Sequence, residues 1–333
     1  CFNYMASVPV NDFGIFPEKI FGLTDKNELL AIPFFVISGA IMTHGGIAKR
    51  LIDFARALTW WMPGGLAIAA IGGCVLFAAI SGSSPVTVIA IGGMMYPALT
   101  AAGYDEKTSI GLLTSAGSLG IVIPPSIPMI IYAIVVSGQQ VVDVGDLFLA
   151  GIGPGLLIGG LLGSYVVGTS LRNSKNFNAD LKRLLTGFAI IASPFVVGQI
   201  IVGMGNKWGH VTGPVVLAVM ACIVARKQLL EGFWALMLPV IILGGIYSGL
   251  FTPTEAAAVA VVYSLVVAIY IYNEMEWRDM PELIADSTVM MGSLVVIMVI
   301  AFVFNDYLVS ESIPEQAVAL IRDMELTRIE FLV

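Results

Sequence analysis

Two short stretches of this chain carry hydroxyls and backbone breakers inside otherwise apolar sequence. The first is "SGSSP" (81–85), followed by Thr87. The second is "GSLGIVIPPS" (117–126). Proline removes a backbone donor and clashes with the preceding turn, so a helix must unwind at each place. Irregular backbone at membrane depth is tolerated only when it is buried in protein or lines a wet cavity. Each break frees carbonyl oxygens, and Ser81, Ser83, Ser84, Thr87, Ser118 and Ser126 add hydroxyls. No Asp, Glu, Lys or Arg occurs from Ala57 to Tyr104. Oxygens without formal charge suit a dehydrated monovalent cation such as Na⁺. A divalent ion prefers carboxylates, and a proton relay uses Asp, Glu or His. Helices starting after Pro85 and Pro125 would also turn partial positive charge toward the same place, which favours an anionic substrate group. Ser and Gly at helix contacts, with a proline kink, explain either break alone without any function. Both breaks within the unit 63–137 point to a transport site.

A third motif is "GGIYSGLFTPTEAAAVA" (244–260). In it Thr252 and Thr254 flank Pro253, and Glu255 is the only acid between Glu231 and Glu274. An N-cap with proline in the first turn and an acid near the helix dipole accounts for it. A coupling or gating role for Glu255 is the other reading.

Other chemistries find little support. Cys1, Cys74 and Cys222 form no CxxC, and Cys74 and Cys222 lie in apolar runs as small buried thiols. His44 and His210 have no HxxxH or cysteine companions. An intramembrane hydrolase needs a serine with a His or Lys partner, and the serines at 81–84 have none in neighbouring spans. No catalytic residue is expected. A passive channel or a non-transporting scaffold is the alternative class, but a channel needs a continuous polar stripe rather than local breaks.

The elements that position these residues follow from composition. Of 333 residues, 58% are apolar and 12% charged, against about 25% charged in soluble domains. A helix of about 20 apolar residues crosses a bilayer, and only helices or closed barrels satisfy the backbone in lipid. Period-2 alternation is absent, so the expected fold is an all-α polytopic membrane protein. The net charge of −7 argues against nucleic acid as a partner.

Residues 1–27 read as a periplasmic or interfacial segment. Residues 28–45 read as a span, and 46–62 as an amphipathic helix along the interface, with Ile47, Leu51, Phe54, Leu58 and Trp61 on one face. Lys49, Arg50, Asp53 and Arg56 lie opposite, and Trp60 and Trp61 sit at headgroup level. A plain extension of the first span is the alternative. Residues 63–102 are twice the length of a span; broken at 81–85, they become a re-entrant hairpin with legs of about 17 residues. A helix over 106–137 is broken at "IPPSIP" (123–128), and 138–171 hold the next span. Residues 172–183 form a basic loop. Residues 184–306 hold further spans, with a break at "FTPTE", and 307–333 begin a second amphipathic segment at 312–324. Positive loops stay cytoplasmic, which puts 46–62, 103–107, 171–183 and Arg226–Lys227 inside, and 138–146 and the segment after 306 outside. Span plus amphipathic helix at 28–58 matches span plus amphipathic helix at 286–322 with opposite sense. This is the inverted-repeat pattern of secondary transporters, although chance pairs occur in any polytopic protein. The chain lacks an initial Met and ends at "RIEFLV", so it is expected to be a piece of a longer protein. The longer protein should continue into a second hairpin and a second broken helix.

Together these motifs resemble the large membrane subunit of tripartite ATP-independent periplasmic (TRAP) transporters, the DctM/SiaM type. The stretches carrying the resemblance are "LLAIPFFVISGAIM" (29–42), "GGIAKRLIDFARAL" (45–58), "FAAISGSSPVTVIAIG" (77–92), "GYDEKTSIGLLTSAGSLGIVIPPSIPMIIYA" (103–133), "FLAGIGPGLL" (148–157) and "GGIYSGLFTPTEAAAVAVVY" (244–263). The resemblance implies an elevator-type carrier in the bacterial inner membrane, with the amphipathic helices as arms. Its Na⁺ gradient would drive uptake of an organic acid delivered by a periplasmic solute-binding protein. A small four-helix membrane subunit would enlarge the scaffold against membrane lipid. It further implies a Na⁺ site at Ser81, Ser83, Gly120, Ile123 and Pro125, with Gly82, Ser84, Pro85, Thr87, Gly117, Ser118, Pro124 and Ser126 as neighbours. The hairpin and break sequences look nearer to the sialic-acid branch than to the C4-dicarboxylate one.

Overall fold

The structure, a computed structural model, describes residues 27–136, 142–172 and 226–313, plus scattered positions in 177–186 and at 316 and 319. The expected segment 1–27 apart from Asn27, the part of the further spans within 187–225, and most of the second amphipathic segment lie outside the described residues.

Every described element is helical. Helix α1 (Ala31–His44) ends at Gly45, and after a two-residue elbow α2 (Ile47–Thr59) leaves at 71°. The bend excludes a plain extension of the first span. Gly46 adopts φ +68°, a left-handed conformation that suits glycine. The amphipathic helix was expected to lay an apolar face of Ile47, Leu51, Phe54, Leu58 and Trp61 along the membrane interface. Against the protein it buries Ile47, Ala48, Leu51, Ile52 and Ala55, and leaves Phe54, Leu58 and Trp61 half-buried. The reason lies in its neighbour: α3 (Gly65–Ser81) folds back along α2, and Gly72 and Gly73 offer Ala55 and Ile52 a close approach. Small residues on both helices thus move the contact face to the alanine side.

Helix α4 (Ser84–Ala101) returns along α3 after only Gly82 and Ser83, with Gly73 close to Ile91 across the pair. The legs are 17 and 18 residues long, as the length arithmetic required. Unlike a loop between two full spans, the turn is buried: Ser81, Gly82 and Ser83 are all inaccessible. Helix α5 (Glu106–Gly117) starts from Asp105, whose carboxylate accepts from the Thr108 N–H. A 3₁₀ turn (Ser118–Ile121) and an irregular stretch with a cis Pro124–Pro125 bond separate α5 from α6 (Ile127–Val136). Helix α7 (Val144–Arg172) crosses behind this break.

The second part begins with α8 (Arg226–Glu231), α9 (Phe233–Tyr247) and α10 (Pro253–Val266), the last continuing into a π turn (Val267–Ile271). Helix α11 (Met280–Ser310) follows. It packs antiparallel to α1: Leu283 clusters with Ile41, and Met290 with Ile32 and Val36. Helix α10 lies along α1 through small residues, with Ala256, Ala260 and Ser264 buried at four-residue spacing. Such stripes let helix backbones approach where lipid offers no hydrophobic drive. Among the described residues, four helical stretches are long and apolar enough to cross a membrane: Ser84–Ala101, Val144–Arg172, Pro253–Ile271 and Trp277–Asn305.

One polar cluster ties the elbow to the second part. Arg50 donates to Glu274 Oε1 at 2.8 Å and to the Gly46 carbonyl at 3.0 Å, and its guanidinium lies 3.6 Å over the Tyr272 ring. The Tyr272 hydroxyl donates to the Glu231 carbonyl and accepts from the Ala235 N–H, both at 3.2 Å. The basic segments α2 and α8 also pack against each other.

Candidate functional site

The site forms where the hairpin tip meets the break between α5 and α6. Its logic is a shortage of N–H donors. An α-helical carbonyl is served by the N–H four residues ahead, and proline has none. Pro85 therefore leaves the Ser81 carbonyl without its helical donor, Pro124 does the same for Gly120, and Pro125 for Ile121. Ser126 repairs only the last, its hydroxyl donating to the Ile121 carbonyl at 2.6 Å. The Ile127 N–H, which would serve Ile123, instead donates to the Gly82 carbonyl at 3.1 Å. As a result the carbonyls of Ser81, Gly120, Ile123 and Pro125 accept no hydrogen bond among the described residues. The Ser83 carbonyl accepts twice from Thr87, at 3.1 Å from its N–H and 2.8 Å from its hydroxyl. The Thr87 and Ser81 hydroxyls lie 3.0 Å apart.

Glycines make the junction possible. Gly82 holds φ +60°, and a β-carbon there would sit 2.6 Å from the Pro125 carbonyl oxygen. A β-carbon on Gly120 would sit 2.7 Å from the Ser83 carbonyl oxygen and 2.8 Å from the Thr87 hydroxyl. Gly117 packs on Val88 of the second leg. From behind, Gly151 of α7 approaches the Val122 carbonyl, where a β-carbon would come within 2.7 Å, and Gly155 approaches the Ile123 side chain. From the front, Gly39 of α1 lies against Ser81 and Val86. Sequence reasoning missed Gly39, Gly151 and Gly155; the four-residue spacing of the last two was the available signal.

Ser81, Gly82, Ser83, Thr87, Gly117, Gly120, Ile123, Pro124, Pro125 and Ser126 are thus buried around one junction. Three expected neighbours are not buried there. Ser118 is exposed and donates to the Ser115 carbonyl, because the 3₁₀ turn rotates it away from the tip. Pro85 is exposed on the first turn of α4, and Ser84 is half-buried. No carboxylate joins the junction, and no group of three His, Cys, Asp or Glu residues could hold a metal ion among the described residues.

Thr252 and Glu255 form a reciprocal capping box at the start of α10. The Glu255 carboxylate accepts from the Thr252 N–H at 2.8 Å and hydroxyl at 2.9 Å, and the Thr252 hydroxyl accepts from the Glu255 N–H. Both residues are exposed and Thr254 is half-buried. The geometry accounts for this motif by capping.

A buried hairpin turn docked on a broken helix, among helices long and apolar enough to cross a bilayer, defines a multi-pass helical membrane protein. The comparison with known proteins makes this specific. The family model of the tripartite ATP-independent periplasmic transporter, DctM component, matches residues 2–333, and the chain belongs to that family. It is 35% identical over 327 residues to the C4-dicarboxylate TRAP transporter large permease protein DctM of Rhodobacter capsulatus, covering 93% of this chain and 63% of the relative. It is 39% identical over 316 residues to the protein of the same name in Pseudomonas aeruginosa, covering 94% of this chain and 64% of the relative. A third relative is the isethionate TRAP transporter permease protein DctMQ of Oleidesulfovibrio alaskensis, at 34% over 290 residues and 87% and 39% coverage. The chain spans less than two thirds of the length of these relatives.

Proposed function

We propose that the protein carrying this chain is a Na⁺-coupled secondary transporter that takes up an organic acid across the bacterial inner membrane. The observation that carries this reading is the set of four carbonyls, at Ser81, Gly120, Ile123 and Pro125, left without donors at one buried junction. Uncharged oxygens of this kind replace the hydration shell of a monovalent cation. A buried carbonyl is costly unless paired or coordinated, so the junction is held at a cost that cation binding offsets. Ser81, Ser83, Gly120, Ile123 and Pro125 would then supply the ion's ligands. Binding would draw the hairpin tip and the break together, which couples ion occupancy to the substrate's place beside the tip.

The substrate class rests on the relatives. Their names give C4-dicarboxylates and isethionate, both small anions, and a small organic anion is proposed here. The sialic-acid resemblance of the break sequences stays within that class. A periplasmic solute-binding protein would deliver the anion, and a small membrane subunit would widen the scaffold. An elevator cycle with inverted repeats fits the antiparallel α1 and α11 and the bent arm α2: the hairpin unit would slide while the α1–α10 pair stays fixed.

The test is uptake into vesicles by the full-length protein with its small subunit and binding protein. Uptake should need inward Na⁺ and should stop when K⁺ replaces it. Uptake that ignores Na⁺ would overturn the mechanism, and passage down a gradient without a binding protein would favour a channel.

A further inference from the structure

A cavity of about 520 Å³ lies at the end of α3 away from the hairpin tip, between the C-terminal half of α2, the start of α3 and α8. It is lined by Asp53, Arg56, Trp60, Gly65, Leu66 and Gln228. Asp53 and Arg56 stand three residues apart on one helix, a spacing at which opposite charges commonly pair. They do not pair here, and neither forms an ion pair with any other described residue. Arg56 and Trp60 are exposed, and Trp60 keeps 74% of its surface. Helix α2 buries its opposite face against α3, so these side chains belong to the face the fold leaves open.

We propose that this cavity binds the headgroup of a zwitterionic phospholipid bearing a phosphate and a primary ammonium, such as phosphatidylethanolamine. A separated cation and anion facing one hollow match a ligand that carries both charges. The guanidinium of Arg56 offers forked donors to a phosphate. The Asp53 carboxylate accepts from an ammonium N–H, and the Gln228 amide can serve either end. Trp60 and Leu66 supply apolar surface where glycerol and acyl chains begin, and tryptophan favours that boundary because its ring is apolar and its N–H polar. An amphipathic helix at the interface places the hollow at headgroup depth, and basic pockets at that depth take up lipid headgroups. The lipid would bridge the arm, the first hairpin leg and α8. This inference rests on the membrane placement of α2 and not on Na⁺ coupling.

The experiment uses the delipidated full-length protein in detergent and native mass spectrometry, with dioleoyl phosphatidylethanolamine, phosphatidylcholine and phosphatidylglycerol offered at equal concentration. Phosphatidylcholine lacks ammonium N–H groups and phosphatidylglycerol lacks the cation, so phosphatidylethanolamine should be retained about tenfold better than either, the factor expected for one charge-assisted hydrogen bond. Asp53→Asn should abolish the preference, Arg56→Gln should lower retention of all three lipids because each carries the phosphate, and Gln228→Ala, on a different helix, should reduce the preference. Soluble phosphoethanolamine at the same concentration should not displace the lipid. Equal retention of the three lipids, a preference that survives Asp53→Asn, retention unchanged by Arg56→Gln, or full displacement by phosphoethanolamine would each overturn the proposal. Na⁺-dependent uptake does not enter this readout, so its failure and a failure of the transport reading are separable.

Discussion

Replacing Gly120 by alanine isolates the junction between tip and break. The residue lies in the 3₁₀ turn without left-handed backbone, so the substitution adds bulk and no conformational strain. The new β-carbon would meet the Ser83 carbonyl oxygen at 2.7 Å, its carbon at 2.8 Å and the Thr87 hydroxyl at 2.8 Å, where ordinary contact begins at 3.4 Å. Two of these atoms are backbone at a tip pinned by the Ile127 to Gly82 hydrogen bond, so the tip itself must retreat. Overpacking of this kind costs about 1–3 kcal/mol. If the same junction binds Na⁺, that cost falls on the bound state and weakens apparent Na⁺ affinity by about 5- to 150-fold. Gly111→Ala is the control: it lies in α5 of the same unit and its β-carbon would meet nothing within 4 Å. The assay is uptake against Na⁺ concentration in vesicles, with protein abundance measured alongside. Gly120→Ala should shift the Na⁺ dependence, and Gly111→Ala should not. Matching Na⁺ curves for both variants, in correctly folded protein, would refute the reasoning.

Three further outcomes are expected. Thr87→Val keeps the side-chain shape but removes the hydroxyl shared by Ser81 and the Ser83 carbonyl, both buried; thermal unfolding in detergent should show a loss of about 1–3 kcal/mol from the unpaired partners. A double-mutant cycle on Arg50→Met and Glu274→Gln should give a coupling of about 0.5–1 kcal/mol in thermal unfolding, since the pair is partly exposed and solvent weakens it. Glu255→Gln preserves a residue able to close the capping box, so Na⁺ dependence and stability should both be retained; a changed Na⁺ dependence would give Glu255 a coupling role instead.

Much of the fold was legible because lipid imposes simple arithmetic. The charge-free run of 57–104 is too long for one span, and the hydroxyl-rich break with Gly82 and Pro85 falls near its middle, so a hairpin with a turn there was the consistent solution. The break before α6 was equally plain from Pro124 and Pro125. Less legible was which face of α2 is buried. Phe54 and Leu58 look like the apolar stripe, yet Gly72 and Gly73 of α3 admit Ala55 and Ile52 more closely. Ser118 was misplaced for a similar reason, because a 3₁₀ turn advances side chains differently from an α-helix.

The amino-acid order alone determined that this chain is helical and membrane-embedded, and that its helices fail at two places, because proline's missing N–H is a local property. Tertiary structure decided what those failures make. Only packing could bring the Gly82 carbonyl to the Ile127 N–H, lay Gly120 on Ser83, and back the break with Gly151 and Gly155 of α7. Those contacts join residues roughly thirty to forty-five positions apart, and their geometry depends on glycine's lack of a side chain at each crossing, which no local pattern specifies.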